Sequence, residues 1–124
     1  MNFLRRSVEL VLLPVLDPAL AAPFYEMLGF QVTSRDPDEV VLEKPGLQLV
    51  LERVKELEKD DGRPRIELIV DIDMLDIVWK TDGRDDPTLP GPTLSSEGVF
   101  EYRARDPSGN RVRIKAPLPD SDHP

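Results

Sequence analysis

The chain has no cysteine and one histidine among 124 residues, and both shortages narrow its chemistry. Without cysteine there is no disulfide, no thiolate nucleophile and no sulfur ligand, and the redox compartment stays open. The lone histidine, His123, stands beside the final residue, Pro124. No Ser/His/Asp or Cys/His arrangement can therefore be assembled in the body of the fold. Aromatic residues are scarce, at 6%, which leaves few rings for stacking a planar ligand once a core is filled. Basic residues are in deficit, 16 against 24 acidic ones, for a net charge of -8. Phosphate backbones and anionic bilayers both select clustered Lys and Arg, so the balance points away from nucleic acid and membrane partners. No apolar run approaches a membrane span, and glycine-rich phosphate loops of the Walker or dinucleotide type are absent.

Arg5-Arg6, an apolar run and then Ala19-Leu20-Ala21-Ala22 superficially resemble a secretory signal. Glu9 and Asp17 interrupt that run, and Pro14 and Pro18 break it further. Cleavage there would remove a strand and half a helix. The segment reads as structure, and the expected location is cytoplasmic.

What is present is turn and cap chemistry. Asp106-Pro107-Ser108-Gly109-Asn110 lies between residues 100–105 and 111–115, whose polarity alternates as in half-buried strands. Pro107 fixes φ, and Gly109 and Asn110 tolerate positive φ, so the segment predicts an antiparallel hairpin. Near the other end, an aliphatic run through Val15 is followed by Asp17 as N-cap and Pro18 as first helical residue. Leu20, Phe24, Met27 and Leu28 recur at helical spacing as the expected buried stripe, and Gly29 ends the helix before Phe30. Pro23 inside this helix predicts either a kink or an effective start at residue 23.

Extended along the chain, these rules predict strand 7–15, helix 18–28 and strands 30–35, 38–43 and 46–54. A charged connector, 55–64, leads to strand 65–70, helix 73–82 and a Gly/Pro-rich loop from Gly83 to Pro92. A weak strand at 93–96 and strands 98–105 and 110–116 follow, and 117–124 is expected to be a loose tail. Ile72, Leu75 and Trp79 mark the apolar face of the second helix. The expected organisation is one domain over 1–124, with module 1 at about 7–54 and module 2 at about 65–116.

An Asp-capped helix carrying Phe24-Tyr25 and ending in Leu28-Gly29-Phe30, followed late by Asp106-Pro107-Ser108-Gly109-Asn110, resembles the vicinal-oxygen-chelate superfamily. That group includes glyoxalase I, extradiol dioxygenases and the fosfomycin-, bleomycin- and mitomycin-resistance proteins. The resemblance implies an α+β fold of two β-α-β-β-β modules forming one curved mixed sheet with a cleft. Metal-using members hold one divalent ion with four His, Glu or Gln side chains. Those positions fall here on Leu10, on Gln48 or Val50, on Arg65 and on Arg113. An alkyl group and two guanidiniums cannot serve as ligands, so no metal or other cofactor is expected. An all-carboxylate site for magnesium or calcium would draw on Glu9, Glu52, Glu67 and Glu101, which lack the spacing of a known cation loop.

Strand alternation assigns Val11, Leu13, Val15, Leu47, Leu49, Leu51, Ile66, Leu68, Val70, Val112 and Ile114 to the helix-packed core. The other parity places Leu10, Gln48, Glu52, Arg65, Glu67 and Arg113 in the expected cleft, with Tyr102 as an aromatic contact. Two readings of the Arg/Glu set stand side by side, cross-sheet ion pairs in place of a metal and an anchor for a polar ligand. The resemblance to the metal-free resistance proteins implies a small-molecule-binding homodimer, with antibiotic sequestration as one use. A metal-dependent lyase, isomerase or dioxygenase is the alternative, and a ligand-free scaffold the third.

Overall fold

The computed structural model describes residues 8–82 and 91–118. The first half contains β1 (Glu9–Val15), α1 (Pro18–Met27), β2 (Gln31–Asp36), β3 (Glu39–Lys44) and β4 (Leu47–Arg53). The second contains β5 (Ile66–Ile69), α2 (Ile72–Asp82), β6 (Thr93–Leu94), β7 (Val99–Arg105) and β8 (Arg111–Pro117). The β-α-β-β-β order thus occurs twice, within two residues of most expected boundaries. Two compact units result, divided between Asp60 and Asp61 inside the charged connector, which holds no helix or strand.

Each unit builds a four-stranded mixed sheet with the same topology, β1-β4-β3-β2 in the first and β5-β8-β7-β6 in the second. The first strand of each unit lies at an edge, parallel to the last, and the remaining pairings are antiparallel. An edge position accommodates Pro14, whose missing N–H would interrupt an interior ladder. The fold class is α+β, as the sequence implies.

In the first unit α1 packs on one face of its sheet. Asp17 is the N-cap, accepting a hydrogen bond from the Ala19 N–H at 3.0 Å, and Pro18 follows it. Gly29 ends the helix at φ +99°, where a side chain would be strained. Pro23 is enclosed in a continuous helix and faces solvent, so the helix starts at Pro18 and not at residue 23. The buried stripe is also rotated from the expected one. Pro18, Ala21, Ala22, Tyr25 and Leu28 are buried, whereas Leu20 is 66% exposed. The cause is close approach, since two alanines let the backbone near the sheet and leave room for Tyr25. That ring meets Phe24 and Phe30 edge-on at 5.0 and 6.3 Å. Arg53 ties the unit's loops, donating from Nε to the Pro37 carbonyl and from Nη1 to the Leu16 carbonyl.

In the second unit α2 is capped by Asp71, whose carboxylate accepts the Met74 N–H at 2.8 Å. Leu75 and Val78 are its buried residues, with Ile72 and Trp79 half-buried beside them. Beneath them lie Ile66, Leu68, Tyr102, Ala104, Val112, Ile114 and Ala116, the inward parity of three strands. β8 continues through Pro117, paired with Val99, and the Leu118 N–H donates to the Gly98 carbonyl. The first two residues of the expected tail therefore continue the pairing of β8 with the start of β7. The rest of that tail, 119–124 with His123, and residues 83–90 of the expected loop lie outside the described residues.

The Asp106–Asn110 turn is the polar centre of this unit. Both residues are buried, and the Asp106 carboxylate accepts from the Ser108 and Asn110 backbone N–H groups and from the Asn110 side-chain amide at 2.9–3.0 Å. Only Gly109 of this turn has positive φ, at +97°, so Asn110 serves by its amide and not by left-handed backbone. Removing the carboxylate leaves three donors without their acceptor, two of them buried. Asp106→Ala is expected to cost about 2–4 kcal/mol in urea unfolding, and Asp106→Asn appreciably less.

Candidate functional site

Because each sheet carries one helix, its other face is open, and the sequence-predicted site residues distribute themselves by parity. In the first unit Leu10 pairs in register with Gln48, Leu12 with Val50 and Pro14 with Glu52. Leu10 and Leu12 are each 56% exposed, Gln48 is half-buried and Glu52 is exposed. Across β3, Gln48 meets Glu43 and Glu52 meets Glu39. This face therefore combines an apolar strip with carboxylates.

The second unit brings two of the expected residues into direct contact. Glu67 and Arg113 are register partners on β5 and β8, and Arg113 Nη1 donates to Glu67 Oε1 at 2.8 Å. Arg113 Nη2 donates to Glu101 Oε1, a diagonal neighbour on β7, so one guanidinium is clamped by two carboxylates. Lys115 Nζ lies 3.8 Å from the second Glu67 oxygen. The hydrogen bonds to Glu101 and then Glu67 push the Arg113 guanidinium above its already high ordinary value, so it remains charged at any pH the protein survives. Its side chain is 29% exposed, yet its Nε is buried and has no hydrogen-bond partner among the described residues. Arg65, just before β5, donates its backbone N–H to the Arg111 carbonyl at 2.8 Å and is half-buried.

Tyr102 is not on this face. It is 3% exposed and paired with Ile114 in the helix-packed core, as the parity it shares with Ala104 requires. Glu101, expected only as an outward strand carboxylate or a member of an oxygen-ligand set, takes its place beside Arg113. The signal for Glu101 is the hairpin itself: once Asp106 and Asn110 close the turn, Arg105, Arg103 and Glu101 face Arg111, Arg113 and Lys115 in order.

The metal positions implied by the family resemblance do not fit a metal here. Leu10 offers no donor atom, and Arg113 offers only donors, already turned to carboxylates. Glu67 and Glu101 each have an oxygen committed to that cation. Among the described residues no group of three or more His, Cys, Asp or Glu is placed to hold a metal ion. No helix among them is long and apolar enough to cross a membrane.

No family model and no curated protein matches the chain. Solved structures do. A glyoxalase/bleomycin resistance protein/dioxygenase from Alicyclobacillus acidocaldarius superposes with TM-score 0.66 at 24% identity, covering 92% of this chain and 93% of its own. A lactoylglutathione lyase from Agrobacterium tumefaciens gives TM-score 0.65 at 17% identity over 90% and 94%. A bleomycin-binding protein complexed with bleomycin gives 0.58 at 22% over 87% and 96%. These neighbours include a lyase and a bleomycin-binding protein, so the likeness shows a fold and not a role. The chain accordingly has the glyoxalase/bleomycin-resistance fold.

Proposed function

We propose that this protein is a metal-independent binder that sequesters a small polar molecule, working as a homodimer in the cytoplasm. The observation that carries this reading is the clamp on Arg113. A position that resembles a metal-ligand site holds instead a guanidinium fixed by Glu67 and Glu101. The clamp turns Nη1 and Nη2 toward Glu67 and Glu101, so a ligand meets a fixed polar cluster of one cation and two carboxylates, each carboxylate with acceptor capacity to spare. The same constellation lacks a nucleophile, a histidine base and a ligand set, so binding without turnover is the chemistry it supports. The bleomycin-binding neighbour makes antibiotic sequestration one use of such a site. With Tyr102 in the core, however, this open face favours polar over stacking contacts. Homodimer formation is supported by the apolar strip of Leu10 and Leu12 on the first unit, where a second chain would cover it.

Three measurements follow. A thermal-shift screen of small polar molecules should return at least one stabilising ligand, and Arg113→Met should abolish that shift while the protein still unfolds cooperatively. Zinc, manganese, nickel and iron(II) should leave the melting temperature unchanged, and elemental analysis after mild purification should find no stoichiometric metal. One equivalent of bound metal with a raised melting temperature would refute the metal-independent reading. Sedimentation should give a dimer, and Leu12→Glu should shift it toward monomer.

A further inference from the structure

The first sheet sorts its charges by face. Arg35, Lys44 and Arg53, the basic residues of its strands, stand in register with Val40, Leu47 and Val15 and so share the helix parity. Each is engaged there, Arg35 with Glu26 at 3.8 Å, Lys44 with the Leu28 carbonyl at 3.4 Å and Arg53 with the Leu16 carbonyl at 3.3 Å. The open face is left with Leu10 and Leu12, each 56% exposed, bordered by Glu39, Glu43 and Glu52. These carboxylates are exposed and have no cation partner among the described residues, and Glu39 stands directly opposite Glu52. Two such strips set against each other across a twofold would gather the carboxylates of both copies around one apolar contact, with no cation between them. Like charges so juxtaposed oppose association. A second copy that covers the strip must therefore present a different surface.

The open face of the second sheet supplies one. Ile69 is 67% exposed and in register with Lys115, whose ion pair among the described residues is a loose 3.8 Å contact with Glu67. Arg103, of the same parity on β7, is exposed, and no carboxylate among the described residues pairs with it. Arg113 is occupied by Glu67 and Glu101 and does not count among the available cations. An exposed aliphatic side chain beside cations is the complement of two leucines with a carboxylate border. We infer that the Leu10–Leu12 strip of one copy docks on this face of a second copy. Glu43 and Glu52 answer the partner's Arg103 and the partner's Lys115, and the leucines meet the partner's Ile69. A dimer then holds the contact twice, once in each direction. Apolar burial holds the copies together, and the charges choose which face meets which. The inference rests on the homodimer reading above and names the two faces that meet.

Sedimentation at low salt tests it with two charge-reversed proteins. Glu43→Lys combined with Glu52→Lys turns the first face basic, and Arg103→Glu turns the second acidic. Each protein alone should self-associate about tenfold more weakly than the wild type. The double substitution lowers the magnitude of the net charge, which by itself favours association, so its loss of dimer is specific to the face. Mixed in equal amounts, the two proteins should dimerise again to within about threefold of the wild type, since each reversed face then meets its complement. A mixture that stays monomeric while both proteins unfold cooperatively overturns the inference. Undiminished dimer in Arg103→Glu also overturns it and leaves the homodimer reading standing. A wild-type protein that sediments as a monomer removes both.

Discussion

A helix laid on a four-stranded sheet covers one of its faces, and most other features of this protein trace back to that asymmetry. The two-residue period of a strand sorts every side chain into one of two environments, with no intermediate register. Leu13, Val15, Leu49 and Leu51 go to the helix side of the first unit, and Ile66, Leu68, Val112 and Ile114 to that of the second. Of the other parity in these strands Val50 is buried as well, while Leu10, Glu52, Glu67 and Arg113 keep exposed surface and can carry chemistry. Architecture and chemistry are thereby written on alternate residues of the same strands. This is a physical account of how one fold includes both a lactoylglutathione lyase and a bleomycin-binding protein.

The two units use this freedom differently. On the first, the open face presents Leu10 and Leu12 beside Gln48 and Glu52, an apolar strip with an acidic border. On the second, it presents the Glu67–Arg113–Glu101 cluster within a field of arginines. Identical topology therefore supports surfaces of opposite character. The Asp106–Asn110 turn links the two roles of the second unit, since its buried hydrogen bonds fix the register that sets Arg103 against Arg113.

Much of this was legible in the amino-acid sequence, for reasons specific to certain residues. Asp17 with Pro18, and Gly29, bound the first helix because cap chemistry is local. The Asp-Pro-Ser-Gly-Asn turn located the final hairpin for the same reason. Parity then placed Glu67 and Arg113 together on the open side without any long-range information. The same parity puts Tyr102 in the core, and its expected role as a ligand contact came from a need for an aromatic, not from its position. The α1 stripe was harder, because Ala21 and Ala22 bury little area yet govern how near the helix comes, whereas Leu20 is more hydrophobic and exposed. The reach of Glu101 to Arg113 is diagonal and depends on side-chain rotamers, which strand spacing does not specify.

The chain's single tryptophan, Trp79, lies on α2, and the backbone at Gly91 passes so near its indole that a β-carbon there would collide with the ring. Its emission consequently reports on the packing of α2 against that segment of the second unit. Tyr25 is buried in the first unit and Tyr102 in the second, so near-ultraviolet signals from the two halves come from different chromophores. The molecule thus carries its own optical labels, able to reveal whether its halves melt together or in turn.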